Sequence, residues 1–162
     1  PGQLMPALHS VWLVIHVAAA VTATGFFTVG AVLTGLFLVL DRRARRGLPP
    51  GFLGSRQLPA PEVVDRLAYR VFAFAFPVWT FAVIAGAIWA ENAWGRYWGW
   101  DPKETWSFIT WVVFAGYLHA RVTAGWKGRA AAVIALVGVG CLLFNLFGVN
   151  IWIIGKHSYA GV

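Results

Sequence analysis

Charge is what this sequence has least of. Only 12% of its 162 residues are Asp, Glu, Lys or Arg, against about 25% in a typical soluble domain, while 59% are hydrophobic. That excludes a soluble globular reading. Cysteine is nearly absent as well. Cys141 stands alone inside the apolar run AVIALVGVGCLLFNLFGV, so there is no disulfide framework, no CxxC redox pair and no cysteine metal site. It reads as a small buried hydrophobe. Acidic residues number six against thirteen basic ones, giving a net charge of +7, and on so apolar a chain the distribution of charge says more than its sum. The N-terminus lacks the basic stretch, short apolar segment and small-residue cleavage site of a secretory signal. With Pro1 in first place, the chain reads as a piece of a larger membrane protein or as a processed chain.

Aromatic residues are abundant instead. Ten Trp, twelve Phe and four Tyr make up 16% of the chain, more than interfacial belts alone need, and the surplus points to a flat, apolar ligand. Four segments are long enough to cross a bilayer, which takes about 20 apolar residues: about 11–40, 67–91, 104–120 and 130–152. The sequence therefore predicts an all-α fold, a polytopic membrane helical bundle of about four transmembrane helices forming a single membrane domain over 1–162. The first run, with His16 as its only ionisable residue, exceeds the minimum span, so tilt or protrusion is expected. The second carries Pro77 in mid-span, which predicts a kink. The third is the most polar and the richest in Trp.

Ten of the thirteen basic residues fall in or beside the connections 41–66 and 121–129, leaving Arg96, Lys103 and Lys156 for the other side. The positive-inside rule makes both connections cytoplasmic. The N-terminus, the loop 92–106 and the tail 153–162 then face outward. The charge excess becomes a marker of orientation and leaves no case for nucleic acid.

The segment WAENAWGRYWGWDPKETWSFITW holds Trp89, Trp94, Trp98, Trp100, Trp106 and Trp111, punctuated by Gly95 and Gly99. Asp101-Pro102-Lys103-Glu104 reads as a helix start: an N-cap, a proline at the first helical position, and a glutamate completing a capping-box variant. A helix N-terminus with Arg96 and Lys103 beside it suits an anionic ligand, and the Trp rings with Tyr97 offer a platform for a planar body. An ordinary interfacial aromatic belt is the competing reading.

His16 lies just inside the outer end of the first span and His157 just beyond the outer end of the fourth, so both approach the plane of the Trp loop. Two neutral imidazoles there could ligate a metal or supply both axial positions of a haem iron; packing through hydrogen bonds is the alternative for each. His119 follows Pro102 by 17 residues, about 26 Å of helical rise, and so belongs near the opposite end of the third span. It suits a separate inner site, a proton or ligand path, or a local hydrogen bond. His9 takes no role.

The loop WGRYWGWDPKETWSFITW with the following YLHAR resembles the Trp-rich "WWD" region of the CcsA/ResC family, part of the System II machinery that exports haem and attaches it to c-type cytochromes. WDPKETW distinguishes that family from other haem-handling proteins. The resemblance extends through PALHSVWLVIHV and FNLFGVNIWIIGKHSYAG, covering nearly the whole chain and weakening in the basic connection 41–60. It implies that His16 and His157 are the axial ligands of haem b at the outer face. It places Trp94, Tyr97, Trp98, Trp100, Asp101 and Trp106 in the haem cradle, to which the basic Arg96 and Lys103 add. His119 is implied to belong to an inner haem site or path. Family members carry further N-terminal helices with another intramembrane histidine, which this sequence does not contain.

The function so implied is haem handling in c-type cytochrome biogenesis: binding or exporting haem and presenting it for thioether attachment to the CxxCH motif of apocytochrome c, as part of a cytochrome c synthase (haem lyase) complex. The location implied is the cytoplasmic or thylakoid membrane, with the Trp loop extracytoplasmic. The expected partners are apocytochrome c, a CcsB/ResB-type membrane protein or the missing N-terminal segment, thiol-reducing proteins and membrane lipid. A haem carrier without attachment activity and a structural membrane subunit are the alternatives.

Overall fold

The computed structural model describes residues 6–49 and 58–153. After a 3-10 turn at Pro6–His9, four long helices follow: α1 (Val11–Arg45), α2 (Pro61–Trp94), α3 (Pro102–Val122) and α4 (Arg129–Leu143). The last continues through a π-helical turn at Phe144–Gly148 into the short α5 (Val149–Trp152). No strand occurs among the described residues, so the all-α expectation holds.

Local chemistry sets the ends. The Ser10 hydroxyl accepts the Trp12 N–H at 3.2 Å and starts α1, as an N-cap serine does. The helix then runs past its apolar stretch into Asp41–Arg45, where Arg42, Arg43 and Arg45 complement the helix dipole. Pro61 opens α2 at a position where its missing N–H costs nothing, and the helix runs unbroken through the outward-facing Pro77. Helices thus claim much of what the sequence assigns to the basic connection 41–66, because helix continuation needs backbone bonds rather than apolar side chains. The loop 92–106 likewise contracts to residues 95–101 between α2 and α3.

Neighbouring helices run antiparallel. His16 near the start of α1 meets Ala82 late in α2, Trp79 of α2 meets Ser107 of α3, Trp106 of α3 meets Phe144 after α4, and Arg129 at the start of α4 meets Asp41 at the end of α1. This is the up-down-up-down arrangement of a four-helix bundle. Its centre is aromatic: Phe27 stacks on Phe114 with centroids 4.3 Å apart, and Phe72 and Trp79 close around them.

The outer surface is equally apolar. Val14, Val21, Val32, Phe74, Phe81 and Ile84 are all exposed, a continuous greasy exterior that a water-soluble monomer does not tolerate. Three helical segments, Val11–Arg45, Pro61–Trp94 and Arg129–Trp152, are long and apolar enough to cross a membrane. Helix α3, the third expected span, has 21 residues but falls short in apolarity, since Lys103, Glu104, His119 and Arg121 punctuate it. The fourth expected segment, 130–152, is a single run interrupted by the π turn.

Candidate functional site

The loop after α2 is built around one carboxylate. Gly95 ends α2 in the left-handed region at φ 72°. The chain then turns back so that the buried Glu104 accepts the Gly99 N–H at 2.9 Å and the Asp101 N–H at 3.0 Å. Arg96 pairs with the same carboxylate at 3.5 Å, its guanidinium lying where any side chain on residue 99 would stand. Asp101 and Glu104 form the capping box that the sequence predicts. Trp100 is held at φ 56°, the one non-glycine residue with positive φ among the described residues; a bulky residue there stores strain that the surrounding contacts must hold.

Below the loop, a polar network joins three helices. Lys103 donates to the Asn150 side chain at 2.9 Å and to the Asn145 carbonyl at 3.3 Å. Burial draws its ammonium below the ordinary lysine range. Asn145 donates to the Ser107 hydroxyl at 3.0 Å, which itself donates to the Lys103 carbonyl at 2.7 Å. Trp79 donates to the Ser107 carbonyl at 3.3 Å. This direction of donation leaves Asn145 Oδ1, on a residue 2% exposed, with no partner among the described residues, and unpaired buried acceptors are uncommon. Asn145 sits in the π turn, a kind of irregularity frequent at functional sites.

Beside this network lies a cavity of about 250 Å³, walled by Trp79, Trp89, Tyr97 and Trp98 and reached by His16, Lys103 and Asn145. His16 Nδ1 lies 2.7 Å from the Ala82 carbonyl. A carbonyl only accepts, so Nδ1 carries a proton, and in the neutral ring Nε2 is then the nitrogen with the lone pair.

The predicted site residues divide. His16, Tyr97, Trp98 and Lys103 converge on the cavity. Arg96 and Asp101 hold the loop's own backbone and carboxylate. Trp94 packs against the wall residue Trp89, with centroids 5.1 Å apart, while Trp106 packs on Phe144 at 4.4 Å, away from the cavity lining. Trp100 stands 62% exposed, edge-on to Trp98. The anion-accepting rim expected of Arg96 and of the α3 N-terminus is engaged internally, Arg96 by the Glu104 carboxylate and the helix start by the Asp101 side chain. His119 is exposed near the other end of α3, apart from the cavity, and His9 is exposed. His157 lies outside the described residues.

Sequence reasoning missed Trp79, Ser107, Gly86 and Asn145. Of these only Asn145 carried a signal, an amide stranded in an apolar run, where polar groups mark helix contacts or function.

At the other end of the bundle a larger, open cavity of about 800 Å³ is framed by Arg45, Arg66, Arg121, Lys127 and Arg129 with Asp41, Glu62 and Asp65. Arg121 binds both carboxylate oxygens of Asp65, at 2.8 and 2.9 Å, and lies over the Tyr69 ring at 4.9 Å.

Fold and site together define a polytopic helical membrane protein with an aromatic-walled cavity at one end. The family model for cytochrome c assembly proteins matches residues 1–157. Cytochrome c biogenesis protein CcsA of Synechococcus elongatus is 38% identical over 195 aligned positions, covering 96% of this chain and 60% of the relative. CcsA of Chlamydomonas reinhardtii is 42% identical over 161, covering 98% and 43%. CcsA of Guillardia theta is 40% identical over 171, covering 98% and 57%. The chain belongs to the cytochrome c assembly protein family, on its CcsA branch. It spans between 43% and 60% of the length of these three relatives.

Proposed function

We propose that this chain takes part in c-type cytochrome biogenesis by holding haem b at the aromatic cavity for attachment to apocytochrome c. The observation that carries the reading is His16, whose Nδ1 is committed to the Ala82 carbonyl, so that Nε2 is the nitrogen available to an iron at a cavity walled by indoles. The residues suit the group chemically. Flat apolar walls match a macrocycle, and the Lys103 ammonium matches a carboxylate side arm. Asn145 Oδ1 offers an acceptor to a protonated group or to a water. About 250 Å³ is below the ~300–1,000 Å³ of enclosed small-molecule sites, which favours a ligand gripped along one edge with the other edge accessible.

Haem, when bound, supplies the vinyl groups to which the thiols of a CxxCH motif add as thioethers. The protein's part is positioning: the Trp loop and the Lys103–Asn145–Ser107 network hold the wall, and His16 and His157 would hold the haem iron when it is bound. His119 serves an inner path completed by a CcsB/ResB-type partner or by the further length that the relatives possess. The outer face, where thiol-reducing proteins act, is assigned to the Trp loop because the basic connections belong on the cytoplasmic side of the cytoplasmic or thylakoid membrane.

The test is expression of the full-length protein with its partner in a host stripped of other maturation genes. Covalent cytochrome c supports a synthase role; haem bound with no thioether product is the signature of a carrier. A His16→Ala, His157→Ala double variant should lose the haem spectrum and regain part of it with free imidazole. An unchanged spectrum would remove both residues from the iron.

A further inference from the structure

Residue 86 lies in the last third of α2, where nothing in helix chemistry calls for glycine, a poorer helix former than Ala. Yet a Cβ at 86 would stand 2.7 Å from His16 Nδ1 and 2.8 Å from Cε1, closer than side-chain atoms approach one another. The imidazole therefore lies against the bare backbone of α2. One turn earlier on the same helix, the Ala82 carbonyl receives the ring N–H at 2.7 Å. Gly86 and Ala82 together form a notch with a flat floor and one acceptor. Both Gly86 and His16 border the aromatic cavity.

We propose that Gly86 is a positioning residue for His16: its missing side chain admits the ring to the notch, where the Ala82 carbonyl fixes the Nδ1–H tautomer and leaves Nε2 as the ligating nitrogen. The inference rests on the reading of His16 as an axial ligand. Residues that orient a metal-binding histidine are worth about 10–100-fold in affinity when lost, which makes an apparently inert glycine a determinant of haem retention. The backbone carbonyl cannot be mutated away, so the notch is tested from α2 at residue 86, where an added Cβ would meet the ring.

The experiment uses the full-length protein with its partner. Gly86→Ala should lower haem affinity by about 10–100-fold and move the spectrum away from that of the wild type, with partial return on adding imidazole. Gly35→Ala, at a glycine with open space around it, should change neither. Independently of haem, nitrogen NMR of histidine-labelled apoprotein should show His16 as the Nδ1–H tautomer in the wild type and a mixture in Gly86→Ala. If Gly86→Ala accumulates poorly, adding His16→Ala should restore its level, because the methyl then fills the space the ring has left. An Nε2–H tautomer in the wild type, or a Gly86→Ala protein with unaltered tautomer and haem affinity, overturns the proposal. A tautomer shift in Gly86→Ala together with a His16→Ala protein of normal spectrum overturns the ligation reading and leaves the notch as packing.

Discussion

The two ends of this bundle, separated by about 38 Å of α1 between His16 and Asp41, solve the same problem of housing polar groups by opposite means. At the aromatic end, backbone anchors prevail, His16 on the Ala82 carbonyl, Lys103 on the Asn145 carbonyl, Trp79 on the Ser107 carbonyl and Glu104 on two amides, with side-chain bonds from Lys103 to Asn150 and from Asn145 to Ser107 beside them. At the basic end, charge pairs prevail, Arg121 on Asp65 and both Arg45 and Arg129 on Asp41, with the Gly128 N–H adding one backbone bond to Asp65. A backbone anchor holds its direction whatever the ionic strength, and suits a site that must present a ligand in one orientation. Charge pairing neutralises what would otherwise repel and leaves the geometry softer.

The contrast can be broken where it is sharpest. Asp65→Ala strands the Arg121 guanidinium, whose side chain is 7% exposed, and should cost about 3–5 kcal/mol in denaturant unfolding of the detergent-solubilised full-length protein, with the haem spectrum of surviving protein unchanged. A loss of haem in step with stability would mean that the ends are coupled. Glu104→Gln keeps the shape of the loop carboxylate but removes its charge, and should cost about 1–2 kcal/mol. It should also loosen Arg96 and raise protease sensitivity in residues 95–101. Trp79→Phe keeps the wall but loses the bond to Ser107, worth about 0.6 kcal/mol as interhelical bonds in membrane proteins go, and its effect should appear more in haem orientation than in melting. Similar in size but different in kind, Arg129→Gln removes a half-exposed pair and should cost about 0.2–1 kcal/mol, an effect that vanishes in high salt. Glu104→Gln should show no such salt dependence if its backbone anchors carry most of the contribution.

Legibility in the sequence followed the same division. Asp101-Pro102-Lys103-Glu104 could be read in advance because a capping box needs only residues three apart, and the helical segments showed in long apolar runs. Their ends did not, since Asp41–Arg45 and Pro61–Arg66 continue helices with charged residues that hydropathy counts as loop. His16, Tyr97, Trp98 and Lys103 were reachable as chemistry-bearing types near one plane. Trp94, Trp100 and Trp106 were indistinguishable from them in composition; only packing reveals that Trp94 and Trp100 sit against the wall residues Trp89 and Trp98 while Trp106 packs on Phe144 outside the lining. Nothing in Phe144–Gly148 announces a π turn. No pattern in sequence links residue 16 to residues 82 and 86, because the contact is made to a main-chain oxygen and to an absent side chain.

Helix α1, with its 35 residues, is about 52 Å long, while the hydrocarbon of a bilayer is about 30 Å thick. Tilt absorbs only part of the difference. The end carrying Asp41 and three arginines is the one whose side chains belong in water. Dissolved ions then act as a dial that reaches the Asp41 pairs directly and the His16 notch hardly at all. The salt response of a variant accordingly reports which end of the molecule it has disturbed.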